Sequence, residues 1–251
     1  MLITISELTH QSWDNYLKTI RRFAPFLIVL LATLIIRYLL GFAGLYLNAY
    51  TKLSTLSVDL ATALIILALS FLGVWTTFAI IKSAQLIQKN LPLMTFKESY
   101  IQTARYIVPT FLLSLLVALI VMAGSILFLI PGIIFTIWYY FVNYAIIFED
   151  QTNLTSLKTS KQLIIGRWFD MAFKIVLPKL VFLIGIVVLN ILVPNIIIEI
   201  FDPSSIKITL IVAMINGIIT IVTLPLFIWN DTILYFSAKE NPVINIAPII
   251  K

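Results

Sequence analysis

The stretch from Leu127 to Trp168 decides the architecture: LFLIPGIIFTIWYYFVNYAIIFED, then QTNLTSLKTSKQLIIGRW. Its first part is apolar and long enough for a membrane span. Pro131-Gly132 opens that span and the acids Glu149 and Asp150 close it. Its second part predicts a shorter helix over 153–169, with Leu157, Ile164, Ile165 and Trp168 on one face and Lys161 at the edge of that face. A span followed by a helix lying along the water boundary reads as the unit of construction.

Composition carries that unit to the whole chain. Hydrophobic residues make up 61% of the 251 positions and charged residues 11%, far from the balance of a soluble domain. Bilayer hydrocarbon is about 30 Å thick, so each helical span takes roughly 20 apolar residues. The chain has room for six. Spans are expected at about 23–48, 58–82, 108–124, 131–148, 173–198 and 206–236. Pro178 and Pro194 are expected to kink the ends of the fifth, and Pro225 to interrupt the sixth. Amphipathic helices are expected at 3–22, 83–106 and 153–169. The turn between the third and fourth spans holds almost no polar residue, which places it within the protein or shallow in the interface. The fold class is therefore all-α, a polytopic membrane protein forming one membrane domain over 1–251. The N-terminus, MLITISEL, has no basic segment leading into an apolar core, so no cleavable signal peptide is expected.

Charge fixes an expected orientation. Lysines and arginines gather on one side of the spans: Lys18, Arg21 and Arg22; Lys82, Lys89, Lys97 and Arg105; Lys158, Lys161, Arg167, Lys174 and Lys179; Lys239 and Lys251. The other side carries Lys52 and Lys207. This places both termini in the cytoplasm, with the protein in the cell (inner) membrane. The net charge of +6 then serves topology and anionic lipid headgroups, and no nucleic-acid partner is expected.

A repeat is also legible. Displacement by 84 positions lays Asp14 on Glu98, Tyr16 on Tyr100, Thr19 on Thr103, Arg21 on Arg105 and Pro25 on Pro109. A fainter match at 148 positions puts Ser12 on Ser160. Units of roughly 3–82, 90–148 and 153–236 would share one orientation, unlike the inverted repeats of many transporters.

Three places resemble a known family. Ile130-Pro131-Gly132-Ile133-Ile134, with an aromatic-rich span ending at Glu149, is similar to the central hairpin of the membrane domain associated with glycerophosphoryl diester phosphodiesterases and of YciC-like integral membrane proteins. Leu157-Lys158-x-Ser160-x-x-Leu163-x-x-Gly166-x-Trp168 resembles the boundary helix that follows it. Pro225-Leu226 with Thr232 and Tyr235 resembles the closing span, and Ser12-Trp13 the opening helix. The chain departs from that pattern at Lys161, where an aromatic residue is common, and in a tail without a basic cluster. The resemblance implies a six-span membrane domain with structural roles for Pro131, Gly132, Glu149, Ser160, Gly166, Trp168, Pro225 and Tyr235. Some relatives carry a soluble phosphodiesterase barrel; with the sequence running to Lys251, none is expected here.

Chemistry-bearing residues are few. Arg37 falls about two thirds of the way across the first span, where a charge costs roughly 2.5–3.5 kcal/mol on insertion scales. It either binds a lipid phosphate or anionic solute, or pairs with Asp59. Asn230 and Asp231 follow Pro225 and either hold a cation or proton, or mark the exit from the membrane. Asn143, Asn190 and Asn216 suit interhelical hydrogen bonds, and Gly41, Gly44 and Gly124 close helix contact. Trp138, Tyr139, Tyr140 and Tyr144 suit packing and lipid contact. With no cysteine and a single histidine, His10, neither a thiolate nor a histidine metal cluster can be assembled. There is no Gly-rich nucleotide loop. The expectation is a non-enzymatic protein without cofactor, working at the lipid bilayer alone or with another membrane protein. A transporter of a small or lipid-like anionic solute is the alternative.

Overall fold

The computed structural model describes residues 2–50, 55–200 and 206–243, with side chains for all of these except 45–50, 55–59, 127, 194, 196–200 and 206–210. Among the described residues all regular structure is helical: α1 Ile5–Tyr50, α2 Thr55–Gln88, α3 Phe96–Leu127, α4 Leu129–Trp138, α5 Val142–Glu149, α6 Thr155–Ile164, α7 Trp168–Ile200 and α8 Ile206–Glu240. Among the described residues, six stretches are long and apolar enough to cross a bilayer: Ile5–Gly44, Leu60–Gln88, Phe96–Ile126, Leu129–Glu149, Trp168–Val193 and Ile211–Glu240. The protein is a multi-pass integral membrane protein.

Several boundaries differ from the sequence expectation. The amphipathic segment 3–22 and the first span are one helix of 46 residues that runs through Pro25. At 1.5 Å per residue it is about 69 Å long, more than twice the hydrocarbon thickness. No Gly, Asn or Ser breaks the chain at the junction, and a lone proline removes a single backbone donor. The expected helix over 83–106 divides instead. Its first part ends α2 in a Schellman turn: Asn90 takes a left-handed φ of 54°, Leu91 N donates to Leu86 O at 2.8 Å, and Asn90 N to Ile87 O at 3.0 Å. Its second part starts α3 with a capping box. Thr95 Oγ1 accepts from Glu98 N at 3.3 Å, and Glu98 Oε2 accepts from Thr95 N at 2.8 Å.

The fourth span is not one helix. It breaks at 139–141 into α4 and α5. The third boundary helix stops at Ile164 rather than 169, because Gly166 adopts a φ of 81° and Trp168 already begins α7. Helix α8 continues through Pro225 without interruption.

The chain forms two compact units. The first holds Met1–Lys18, Phe78–Val181 and Leu226–Lys251; the second holds Thr19–Thr77 and Phe182–Pro225. The first unit has an aromatic core. Phe141 meets Tyr235 edge-on at 5.7 Å and 74°, and Phe148 meets Tyr235 at 5.1 Å and 87°. The α2 end satisfies the last carbonyls of α5: Lys82 Nζ donates to Ile147 O at 3.3 Å and Gln85 Nε2 to Phe148 O at 2.8 Å. The α3–α4 turn exposes Ile126, Phe128, Leu129 and Ile130 at 70–77%, as a lipid-facing hairpin requires.

In the second unit α1 meets α8, where Tyr38 OH donates to Ala213 O at 2.9 Å. Gly217 lies so close to Leu34 that an added Cβ would come within 2.7 Å of Leu34 Cδ2.

Candidate functional site

The first unit is built around Asp231. An acid on an apolar helix is costly unless its charge is matched, and the fold supplies the match from two other helical segments. Lys179 on α7 lies 2.7 Å from Asp231 Oδ1 and 2.9 Å from Oδ2. The hydroxyl of Tyr140 donates to the same carboxylate at 2.9–3.0 Å, and that of Tyr144 at 3.1 Å. Lys179 also meets the Tyr140 hydroxyl and lies over its ring, 4.6 Å from the centroid. Neighbouring Asn230 is fully buried, and its side-chain amide makes no hydrogen bond of standard geometry among the described residues. Asp231 is therefore an anchored anion inside the unit, 6% exposed.

The break in the fourth span brings Tyr140 to this carboxylate. Ser160 on α6, fully buried, accepts from Phe141 N at 3.1 Å and donates to Trp138 O at 2.8 Å. One hydroxyl thus serves a donor and an acceptor that the interrupted helix leaves unpaired. Lys161, one position on, stacks its ammonium 4.3 Å from the Trp138 ring centroid.

Glu149 ends α5 and receives Lys239 at 2.5 Å and Tyr235 OH at 3.2 Å. Beside it lies a cavity of about 320 Å³ bordered by Gln151, Thr159, Arg167 and Lys239. Arg167 secures the end of α8 by donating to Ala238 O at 2.6 Å and Asn241 O at 2.5 Å, and back to Leu163 O at 2.9 Å. Burial lowers its pKa from the ordinary arginine value, and the charge of Asp170 acts the other way. Trp168 borders an apolar groove with Ile130, Ile133 and Trp138, its indole N–H buried without a partner among the described residues. Gly132 packs on Ser125 across the α3–α4 hairpin. Pro131 stands in the first turn of α4, where its missing N–H costs nothing.

In the second unit, Arg37 Nη2 donates to Ser70 Oγ at 2.9 Å, and Ser70 Oγ donates in turn to Ile66 O at 2.8 Å. Arg37 Nε is buried and has no partner among the described residues. The guanidinium borders a groove of about 490 Å³, together with Leu30, Thr33, Gly73, Thr77 and Thr220. The Asp59 side chain lies outside the described residues. Ser70 stands eleven positions further along α2, roughly 16 Å of helix rise. Pro225 closes this unit on α8.

Of the residues singled out from sequence, the structure brings Glu149 to Tyr235 and Ser160 to the helix break. Sequence reasoning did not find Lys179, Tyr140 and Tyr144 as the partners of Asp231. Two signals were available. Lys179 follows Pro178 inside an apolar run, and Tyr140 and Tyr144 are four apart, the spacing of one helix face. No group of His, Asp and Glu suited to a metal occurs among the described residues.

Fold and sites together define a multi-pass membrane protein with a closed polar core in one unit and an arginine-lined groove in the other. No protein-family model matches the chain, and neither a curated protein nor a solved structure matches it.

Proposed function

We propose that this protein is a non-enzymatic module of the cytoplasmic membrane that acts by lipid contact and scaffolding in envelope or lipid homeostasis. The observation that carries this reading is the occupancy of Asp231. Its carboxylate is taken up by Lys179, Tyr140 and Tyr144, so this buried acid ties helices together. The resemblance to the phosphodiesterase-associated membrane domain and YciC-like proteins supports the same reading. The clustering of basic residues supports cytoplasmic N- and C-termini. The Arg37 groove supports a second reading, transport of a small or lipid-like anionic solute.

The test is lipid analysis of cells lacking the protein, with complementation by the intact chain. A shift in phospholipid composition that complementation reverses is expected. An unchanged lipid profile together with lost uptake of an anionic solute would replace the scaffold reading with the transporter.

A further inference from the structure

We propose that the groove beside Arg37 is a lipid site in which the guanidinium holds the phosphodiester of an anionic phospholipid while an acyl chain lies along the groove wall. The inference rests on the lipid-contact reading and gives it a ligand class and an address.

Three observations carry it. Arg37 sits within an apolar span and among the described residues has no carboxylate partner. Among the described residues, of its five N–H donors only the one on Nη2 that meets Ser70 has an acceptor, and Nε is buried without a partner. A guanidinium in that state is a fork presented to an oxyanion, and a phosphodiester takes such a fork with two parallel hydrogen bonds.

The second observation is the state of the surrounding hydroxyls. Thr33 donates to Leu30 O at 2.7 Å, Thr77 to Gly73 O at 3.0 Å and Thr220 to Asn216 O at 2.9 Å. Each spends its proton on its own helix, so among the described residues lining the groove Arg37 is the donor left for an anion. A fully hydrated inorganic phosphate would exchange its water shell for one guanidinium. A lipid phosphodiester loses water there too, but it brings an acyl chain whose burial along the groove offsets part of that cost.

The third is the wall itself. Leu30, Leu34, Val74 and Ile221 line the groove, and Gly73 leaves it open: a Cβ built there meets nothing nearer than Leu30 Cδ2, at 3.9 Å. An amphiphile fits both parts, the charged head on Arg37 and the chain on the aliphatic wall.

The experiment uses the full chain in nanodiscs of mixed phosphatidylglycerol and phosphatidylcholine, with retained lipid counted by native mass spectrometry after release into detergent. Intact protein is expected to retain phosphatidylglycerol. Arg37→Gln is expected to lower retention roughly tenfold, the size of one charge-assisted contact, and Arg37→Lys to restore part of it. Gly73→Leu adds bulk to the groove wall while leaving the Arg37 side chain in the sequence and is expected to give a similar loss, so the test stands even where the Arg37 variants fold poorly. Lys158→Gln, an exposed charge on α6, is expected to change nothing. Equal retention in Gly73→Leu and intact protein overturns the proposal. So does displacement of the lipid by millimolar inorganic phosphate, which would make the site one for a free ion. Retention that depends on Arg37 in cells whose lipid profile ignores the protein would leave this site standing and remove the homeostasis role instead.

Discussion

The ammonium of Lys179 on α7 stands 2.7 Å from Oδ1 of Asp231 on α8, with the Asp231 side chain 8% and the Lys179 side chain 24% exposed. Little water reaches the pair, so each charge depends on the other. Removing one partner from such a pair strands an ion and costs about 3–5 kcal/mol, whereas replacing both with apolar residues of similar size is often close to neutral. Asp231→Leu and Lys179→Met are each expected to destabilise the detergent-solubilised protein by about that amount. The double variant should melt closer to the intact protein than either single one. Strictly additive losses in this cycle would show that the two residues act independently.

A second dependence runs through Ser160. Its hydroxyl reaches both Trp138 O and Phe141 N, in a site closed to water. Ser160→Ala leaves one buried acceptor and one buried donor unpaired, at about 1–3 kcal/mol for each. The expected signature is faster hydrogen exchange at the Phe141 amide, together with looser hydrogen bonding between Tyr140 and Asp231. Exchange at Phe141 that matches the intact protein would mean the break is held by something other than α6.

These contacts explain which features the sequence discloses. The six spans are legible because twenty apolar residues in a row have few other uses. Helix junctions are not. The amphipathic segment before Phe23 and the span after it share the same helical period, so nothing in the pattern marks where one would stop, and Pro25 sits harmlessly in a continuous α1. The break at 139–141 is hidden for the opposite reason. Tyr139, Tyr140 and Phe141 include no Gly or Pro, and the hydroxyl that bonds the backbone of the interruption is supplied by α6. Asp231 was visible as an acid in an apolar helix. Its neutralisation was not, because Lys179 reads as one more basic flank until α7 is seen to carry it inside the first unit.

The α3–α4 hairpin offers the sharpest steric test. Gly132 packs against Ser125 so closely that an added Cβ would overlap Ser125 Oγ and lie 3.0 Å from its Cβ and 3.1 Å from its Cα. A hydroxyl can swing away, but a Cα belongs to the α3 backbone, so the two helices must part. Gly124 leaves no slack, since a Cβ there would meet the Phe135 ring at 2.7 Å. Gly132→Ala is therefore expected to destabilise the protein by about 1–3 kcal/mol, the usual size of an overpacked contact. Ser125→Gly should recover part of the loss by removing Oγ and Cβ, and the remainder reports the backbone contact that no side-chain change relieves. Thermal unfolding of the two single variants and the double separates these shares. A Gly132→Ala protein as stable as the original would mean that α4 does not approach α3 this closely.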